Sequence, residues 1–248
     1  MEVRFGKFIL TEKLAEGGMG EVFLARQRGL GQFERLVVLK RLRRDLTLDE
    51  RFETLFLEEA RISARLSHPN VVQVYEFGHI DDSYFLTLEY VRGANLNTIK
   101  RRLSRARRWF PLDALLEIMV QACAGLSYVH RLEDFDGQPL QIVHRDISPS
   151  NIMSSREGQV KLLDFGVAHA RGAIDPDRRV RGKHSYLSPE QYRRESLDER
   201  SDLFSLGVVL YEVTTQTRLF KGVTEVDIMR MVLDRDIPPP STRAADSA

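Results

Sequence analysis

Cysteine is almost absent from this chain: Cys123 is the single one among 248 residues. This excludes an internal disulfide framework and favours a reducing compartment. Cys123 falls in an apolar helical pattern, so we expect a packed core thiol rather than a reactive one. Neither sign of charge is in excess, because 37 Lys and Arg oppose 36 Asp and Glu. This balance gives no global reason to expect nucleic acid or an anionic membrane as a partner.

Long apolar runs are also lacking. No run approaches the roughly 20 residues that a membrane helix needs. The N-terminus, MEVRFGKFIL, alternates like a strand and lacks the apolar centre of a signal peptide. These absences predict a cytoplasmic protein or domain.

Residues 1–90 carry mainly strand patterns. Two alternating apolar runs flank the glycine cluster of AEGGMGEV and predict a hairpin. RLVVLKRL, VVQVYEFG and SYFLTLEYV predict three more strands, and residues 49–66 show apolar side chains at approximately helical spacing.

Helical patterns dominate the rest of the chain. They cover residues 111–130, 199–215 and, more weakly, 225–233. In the first of them an apolar stripe comprises Leu112, Leu115, Leu116, Met119, Val120, Cys123, Leu126 and Val129. We therefore expect an α+β chain of two lobes. The expected parts are an N-lobe over 1–90, a hinge over 89–94 and an incomplete C-lobe over 95–248.

Residues 100–108 hold six basic side chains. A solvated helix face is the favoured interpretation, because charge runs usually lie at the surface. A docking patch for an acidic partner is the alternative.

A glycine-rich segment and a lysine point to phosphate binding. Glycines let the backbone approach a phosphate closely, although a plain hairpin turn explains the cluster about as well. A dinucleotide fingerprint is excluded, because a strand rather than a helix follows the glycines. Lys40 ends the next strand, and a buried ammonium there needs a carboxylate partner. Of the candidates Glu58 and Glu59, the helical spacing turns Glu59 inward.

The segment HRDISPSN holds a carboxylate and an amide five positions apart, Asp146 and Asn151. Asp146 suits a group that accepts or orients a hydroxyl proton. Asn151, together with Asp164 at the end of a further strand, supplies oxygen ligands that suit Mg²⁺ beside a phosphate. Each residue alone often only caps a turn, but their order along the chain makes that joint explanation improbable.

The chain resembles the protein kinase family, in its bacterial eukaryotic-like (Hanks-type) serine/threonine branch. The matching segments, in the family's order, are EGGMGEV, VVLK, EEA followed by HPN, HRDISPSN, DFG, SPE and SDLFSLG. They cover nearly the whole chain. The resemblance implies a bilobal fold, with an antiparallel sheet and one helix in the N-lobe. It also implies transfer of the γ-phosphate of ATP to Ser/Thr hydroxyls of proteins, with Mg²⁺.

The resemblance also implies residue roles. Asp146 is the expected catalytic base, Lys40 pairs with Glu59 and contacts phosphate, and Asn151 and Asp164 hold Mg²⁺. Leu88 resembles the gatekeeper, the segment from Glu89 to Val91 resembles the hinge that binds adenine, and Asp202 resembles a buried carboxylate that steadies the catalytic loop. The expected ATP-binding set is Leu14, Ala15, Gly17, Gly18, Gly20, Val22, Val38, Lys40, Leu88, Glu89 and Val91.

The chain departs from the family at three of these motif positions. Ala15 stands where the first glycine is usual. Ser148 stands where the family carries a Lys that touches the transferred phosphate. Because a hydroxyl brings no charge, we expect slower transfer unless another cation substitutes. Lys183 stands where a Thr forms part of the family's hydroxyl-substrate site.

Residues 167–187 contain no threonine, and their only hydroxyl side chains are Ser185 and Tyr186. Tyr186 resembles a packed structural Tyr. A phosphate on Ser185 would be gathered by basic side chains, with Arg145, Arg178, Arg179 and Arg181 as candidates. The alternative is a permanent anionic stand-in from Asp175 and Asp177.

The family continues with further helices after IPPPS. One of them carries an Arg that would pair with Glu190. Without it, we expect Glu190 to lack its partner and the apolar underside of the 199–215 helix to be exposed. STRAADSA resembles an interrupted loop. Truncation of a longer protein is favoured over a covering partner or a marginally stable domain.

Two other function classes compete with a protein kinase. The departures at Ala15, Ser148 and Lys183, with the missing C-terminal helices, motivate the alternative of a pseudokinase that binds ATP or acts as a scaffold. A small-molecule kinase of the aminoglycoside-phosphotransferase type is disfavoured, because that family lacks the SPE and SDLFSLG segments. The complete catalytic set favours transfer to a protein whose identity the sequence does not give.

Overall fold

The structure is a computed structural model that describes residues 3–17, 20–29, 31, 33–43, 50–164, 183–234 and 236–244. The chain divides into two compact units. The first holds the described residues up to 68 and residues 72–91, and the second holds residues 69–71 and the described residues from 92 onward. The first unit is mainly sheet and the second mainly helix, so the predicted α+β class is confirmed.

A six-stranded antiparallel sheet forms the first unit, in the order β1-β2-β3-β4-β6-β5. Its strands are β1 (Val3–Phe5), β2 (Phe8–Glu16), β3 (Gly20–Arg28), β4 (Glu34–Leu42), β5 (Val74–Ile80) and β6 (Ser83–Glu89). The predicted hairpin is β2–β3. The N-terminus is two strands rather than one, because Gly6 adopts a φ of 54° and turns the chain between them.

The two faces of this sheet have different partners. One face carries a core of its own, made of Phe5, Phe8, Leu10, Ala25, Val37, Leu39 and Phe85. Helix α1 (Glu50–Ser63) packs on the other face, where Phe56 and Ala60 contact Leu42 and Leu86. Since side chains alternate along a strand, Lys40 lies on the face that α1 covers.

The second unit has a three-stranded sheet in the order β7-β8-β9 and six helices in the part of the chain that the structure describes. The strands are β7 (Gly93–Asn95), β8 (Ile152–Ser155) and β9 (Val160–Leu162). The helices are α2 (Leu96–Arg105), α3 (Leu112–His130), α4 (Pro189–Arg193), α5 (Glu199–Thr215), α6 (Glu225–Asp234) and α7 (Pro240–Ala244), with a 3₁₀ turn at His184–Tyr186. Leu126, Leu162, Val209 and Phe220 lie at the centre of the core.

Helix α3 does not bury the whole predicted stripe. Leu115, Met119, Leu126 and Val129 are buried, but Leu112, Leu116 and Val120 are 61%, 50% and 64% exposed. The prediction for Cys123 was also wrong, since this thiol is exposed. Partial desolvation raises the pKa of the Cys123 thiol, which disfavours the reactive thiolate form.

By length and composition alone, α3 is the one helix among the described residues that is apolar enough to cross a membrane. This is weak support for a span. The buried side of the helix packs in the core of the second unit, as in a soluble core helix.

Helix α5 is better covered than predicted. Leu206, Val209 and Val213 are buried, and Leu203 is its one exposed large apolar side chain among the described residues. Residues 241–244, the described part of the segment expected to be an interrupted loop, belong to α7, which packs against α5.

Two charged residues are also less isolated than expected. Glu190 is half-buried and accepts a hydrogen bond from the Ser201 hydroxyl, so it is not left without a partner. In the basic run, Lys100 forms an ion pair of 3.0 Å with the fully buried Glu212, so this part of the run is not a solvated face.

Candidate active site

Lys40 and Glu59 form an ion pair in the first unit. Lys40 lies on β4 and Glu59 on α1, and both side chains are largely buried. Glu59 is the inward member of the adjacent acidic pair, as the helical spacing predicted. A buried ammonium is stable only beside such a carboxylate. The pair therefore fixes Lys40 as a preorganised cation on this face of the sheet.

Apolar side chains of the expected ATP-binding set lie on the same face as Lys40. Val22 pairs with Ala15 and with Lys40, and Val38 pairs with Leu88. Cross-strand partners project to one side, and Val22, Val38 and Leu88 are each partly exposed. A partly open apolar face beside a fixed cation suits a flat base attached to phosphates.

The glycine cluster closes the β2–β3 hairpin. Gly17 donates from its backbone N–H to the Gly20 carbonyl at 2.8 Å. Among the described residues, a Cβ at Gly17 would meet no atom closer than 3.9 Å, whereas a Cβ at Gly20 would lie 2.7 Å from the Arg41 carbonyl oxygen. Gly20 is thus required by the neighbouring strand, and Gly17 is not required by the fold. Gly18 lies outside the described residues.

The predicted hinge begins at the last residue of β6. The Glu89 N–H donates to the Gln73 carbonyl at 2.8 Å, which fixes the start of the segment, and Val91 is buried. Leu14, on β2, is 44% exposed.

In the second unit the HRDISPSN loop is held by Asp202, which is fully buried on α5. Its carboxylate accepts the backbone N–H groups of His144 and Arg145, both at 2.8 Å. It also accepts a hydrogen bond of 2.8 Å from Nε2 of His130, on α3. One buried carboxylate therefore fixes the backbone just before Asp146, the role that the resemblance implied for Asp202.

His144 ties the loop to the segment after β9. Its Nε2 donates to the Leu163 carbonyl at 3.0 Å, and Nδ1 accepts the Asp146 N–H at 3.4 Å. Leu163 in turn donates its N–H to the Asn151 carbonyl at 2.9 Å. These bonds hold Asn151 beside the residue that precedes Asp164.

Asp146 and Asn151 are in direct contact. The Asn151 Nδ2 group donates to the Asp146 carbonyl at 2.8 Å and to its Oδ2 at 2.9 Å. Both bonds use the amide nitrogen, so the amide oxygen is the atom that Asn151 offers a hard cation. No cluster of three His, Cys, Asp or Glu side chains forms a metal site among the described residues. An amide oxygen and the exposed Asp164 carboxylate, completed by water, suit Mg²⁺ rather than a transition metal.

Two non-glycine residues of this region adopt left-handed backbone. Arg145 has a φ of 64° and Asp164 a φ of 46°. Such conformations cost energy and persist only where neighbouring bonds hold them. Burial lowers the pKa of the Arg145 guanidinium, while the Asp202 carboxylate acts to raise it. The group remains charged at neutral pH, because its ordinary pKa is so high.

Ser148 and Lys183 occupy the two positions where the chain departs from the family within this unit. Ser148 is buried, and its hydroxyl shares a hydrogen bond of 2.9 Å with the Ser150 hydroxyl. Lys183 directs its ammonium onto Oδ2 of Asp146. From the sequence alone, Lys183 is only a replacement for the family's Thr, and its contact with Asp146 is visible only in the structure.

Ser185 does not suit a phosphate acceptor in this structure, which corrects the hypothesis that it is the modified hydroxyl. Its side chain is fully buried and donates to the Phe220 carbonyl at 2.8 Å. Tyr186 is a packed structural residue, as expected, with its hydroxyl donating to Glu212 at 2.9 Å. The remaining residues of this hypothesis and of its alternative lie outside the described residues; they are Arg178, Arg179 and Arg181, and Asp175 and Asp177. Phe165 and Gly166 also lie outside them.

Comparison with known proteins decides the family. A family model of the protein kinase domain matches residues 8–245. The chain belongs to the protein kinase family. The kinase is 42% identical to the Myxococcus xanthus protein named tyrosine-protein kinase MasK, over 95% of this chain and 37% of that protein. It is 37% identical to the M. xanthus serine/threonine-protein kinase pkn3, over 97% of this chain and 43% of that protein. It is 38% identical to the Mycobacterium leprae serine/threonine-protein kinase PknB, over 96% of this chain and 37% of that protein.

These relatives confirm the predicted bacterial branch, and the kinase spans less than half of the length of each. Among solved structures, a single-site mutant of the Mycobacterium tuberculosis PknI kinase domain matches with a TM-score of 0.69 at 23% identity. The match covers 99% of this chain and 84% of that one, and it confirms the predicted kinase fold.

Several residues that shape the catalytic loop of the kinase were not among the predicted site residues. His130 looked like the last residue of an apolar helix, yet it binds Asp202. Gln191, whose side-chain amide donates to the Arg145 carbonyl at 3.1 Å, carried no motif. Only Lys183 had a detectable signal, as a cation in place of an expected hydroxyl.

Proposed function

We propose that this kinase transfers the γ-phosphoryl group of ATP to Ser or Thr hydroxyls of protein substrates. The observation that carries the proposal is the Asp202-anchored loop, in which Asn151 binds Asp146 through its amide nitrogen. That arrangement presents a carboxylate for a hydroxyl and an amide oxygen for a cation side by side. Bacterial relatives with serine/threonine kinase names support it.

In the proposed step, the substrate hydroxyl oxygen forms a bond to the γ-phosphorus while the bond to the β–γ bridging oxygen breaks. ADP leaves with that electron pair, and the hydroxyl proton passes to the Asp146 carboxylate. Phosphoryl transfer relies on positioning and on cations more than on covalent catalysis. Asp202 contributes by fixing the backbone that carries Asp146.

ATP and Mg²⁺ are the proposed cosubstrate and cofactor. Bound Mg²⁺ neutralises phosphate charge, and Asn151 and Asp164 are its proposed ligands. Lys40, held by Glu59, is the proposed phosphate contact in the first unit. The proposed remainder of the nucleotide site is Leu14, Ala15, Gly17, Gly18, Gly20, Val22, Val38, Leu88, Glu89 and Val91.

Whether the substrate hydroxyl belongs to Ser or Thr, or to Tyr, needs a separate test, because one relative at 42% identity is named a tyrosine-protein kinase. Incubation with Mg²⁺, γ-labelled ATP and a general protein substrate, followed by phosphoamino-acid analysis, separates the possibilities. We expect label on phosphoserine and phosphothreonine that disappears when EDTA removes the metal. Label on phosphotyrosine alone would replace the proposed specificity. ATP binding without any transfer would establish the pseudokinase alternative.

The two glycines of the hairpin give a separate prediction. We expect Gly17→Ala to leave the melting temperature unchanged, because its Cβ would meet no atom of the described residues closer than 3.9 Å. We expect it to weaken ATP binding about tenfold, which corresponds to about 1.4 kcal/mol, since a methyl group would obstruct close approach of phosphate. Calorimetric titration with ATP measures this effect.

Gly20→Ala is the contrasting variant. Its Cβ would lie 2.7 Å from the Arg41 carbonyl oxygen, so we expect it to lower the free energy of unfolding by about 1–3 kcal/mol. Equal ATP affinity in Gly17→Ala and the wild type would remove Gly17 from the proposed nucleotide site.

We place the proposed activity in the cytoplasm, where ATP and a reducing environment coexist. Its partner is a protein substrate, with no role for nucleic acid in a chain of net charge +1.

A further inference from the structure

The loop that carries Asp146 has an electrostatic gap at Ser148. The resemblance implies a lysine at that position, where its charge would meet the transferred phosphoryl group. Ser148 is neutral and 1% exposed, and its hydroxyl is engaged with Ser150 at 2.9 Å. A neutral hydroxyl is a weaker partner for an anion than an ammonium. Transfer of a charge-rich phosphoryl group therefore calls for a cation from elsewhere.

Lys183 brings a cation to the same carboxylate. Its ammonium contacts Oδ2 of Asp146, the oxygen that also accepts the Asn151 amide. The side chains of Lys183 and Asp146 are 27% and 12% exposed, so the pair is partly shielded and still open to solvent. A partly shielded ion pair interacts more strongly than one on an open surface.

The backbone that follows Lys183 is anchored by buried hydrogen bonds. In the adjoining 3₁₀ turn, Ser185 donates to the Phe220 carbonyl at 2.8 Å and Tyr186 to Glu212 at 2.9 Å. Tyr192 donates to the His184 carbonyl at 2.7 Å. Because these bonds fix residues 184–186, they also fix the point from which the Lys183 side chain extends. The ammonium is therefore preorganised rather than a surface group that reached Asp146 by chance.

We infer that Lys183 is a catalytic residue of this kinase, supplying to the transferred phosphoryl group the positive charge that Ser148 does not. The inference rests on the proposed phosphoryl transfer. An ammonium has three N–H donors, so one can remain on Asp146 while the others meet phosphoryl oxygens. In this role Lys183 acts through its charge and forms no covalent bond. The positive charge that the family places in the catalytic loop, at the position of Ser148, is thus supplied in this kinase by Lys183, in the segment before SPE.

The same contact has two other interpretations, and each predicts a different result. A clamp that occupies Asp146 and blocks the hydroxyl would make removal of Lys183 raise kcat. A purely structural ion pair would make its removal lower the melting temperature and leave kcat nearly unchanged. The catalytic interpretation predicts a loss of kcat in a folded variant.

The decisive experiment compares steady-state transfer by wild type, Lys183→Met, Lys183→Arg and Lys183→Met/Ser148→Lys. We expect Lys183→Met to lower kcat by about 100- to 1,000-fold, as removal of one electrostatic donor does. Lys183→Arg keeps the charge and should stay within about tenfold of wild type. Adding Ser148→Lys to Lys183→Met should give a kcat at least about tenfold above that of Lys183→Met alone. The exposed Lys221→Met, also in the second unit, is the matched control and should leave kcat unchanged.

A change in kcat of less than about threefold in Lys183→Met would overturn the inference, and so would an increase. Should Lys183→Met fail to fold by circular dichroism, the exchange variant Ser148→Lys/Lys183→Thr decides instead. Activity near wild type in that variant supports the inference, and a loss beyond about 100-fold in the folded protein refutes it.

A binding measurement separates this inference from the proposed function. Titration with ATP and with ADP, each with Mg²⁺, gives the preference for the γ-phosphate. We expect Lys183→Met to reduce the preference for ATP over ADP about tenfold. An unchanged preference would contradict a contact between Lys183 and the γ-phosphate. If the wild type transfers no phosphate, the proposed function fails, while this arm still decides whether Lys183 meets the γ-phosphate.

Discussion

Asp146→Asn is expected to lower kcat by about 100- to 10,000-fold, the range that a positioned general acid or base contributes. The side chain keeps its size, and its oxygen can still accept the Asn151 amide hydrogen bond that the carboxylate accepts at 2.9 Å. What is lost is the charge that faces Lys183 and the capacity to take a proton. Because Asp146 acts on the hydroxyl rather than on the nucleotide, we expect ATP affinity to stay nearly unchanged. Steady-state transfer assays and calorimetric titration with ATP measure the two quantities.

The control for this variant is Asp136→Asn, which makes the same chemical change on an exposed loop of the second unit. It should transfer phosphate at the wild-type rate. If Asp146→Asn kept roughly a tenth or more of the wild-type kcat, Asp146 would have no part in the proton transfer. A parallel loss in both variants would indicate a charge effect that is not specific to the loop.

The sheet of the first unit was predictable because its determinants are local. Strand alternation places Lys40 and its neighbour Leu39 on opposite faces of the sheet. The 100° step of a helix directs Glu58 and Glu59 to different sides of the helix. Two short-range rules therefore sufficed to select the correct carboxylate for the lysine. The turn at Gly6 escaped notice because the apolar alternation continues across it.

Helix α3 shows where local rules stop. Its apolar residues cover much of its circumference, so periodicity alone defines one broad stripe. Which part of that stripe is covered depends on α5 and β9, which come much later in the chain. Leu116 and Cys123 consequently lie at the surface while Leu115 and Ala122 are buried.

Ion pairs between residues distant in sequence could not be predicted from the sequence either. Lys183 meets a carboxylate 37 residues away, and Lys100 meets one 112 residues away. No spacing rule connects such positions, because their proximity results from the packing of the whole unit. The motif residues of the loop were identified from the family resemblance, whereas the cation beside them was visible only in three dimensions.

Asp202→Ala is expected to destabilise the second unit by about 3–5 kcal/mol, since it removes a buried charged acceptor from several donors at once. The backbone N–H groups of His144 and Arg145 would lose their acceptor, as would Nε2 of His130. A cavity too small to admit enough water leaves these donors unsatisfied. Urea unfolding measures the free-energy change, and hydrogen exchange of the His144 and Arg145 amides reports the local effect.

The activity of the same variant follows from the same bonds. Arg145 has a left-handed φ of 64°, a backbone conformation that is unfavourable for a residue other than glycine. The hydrogen bond of 2.8 Å from its N–H to Asp202 helps to maintain this conformation. Without that bond the backbone can relax and carry Asp146 out of position, so kcat should fall even where most molecules remain folded. Asp198→Ala, on the exposed N-cap of the same helix, is the matched control and should leave kcat and the loop amides unaffected. Wild-type protection of the His144 and Arg145 amides in Asp202→Ala would show that other contacts hold the loop.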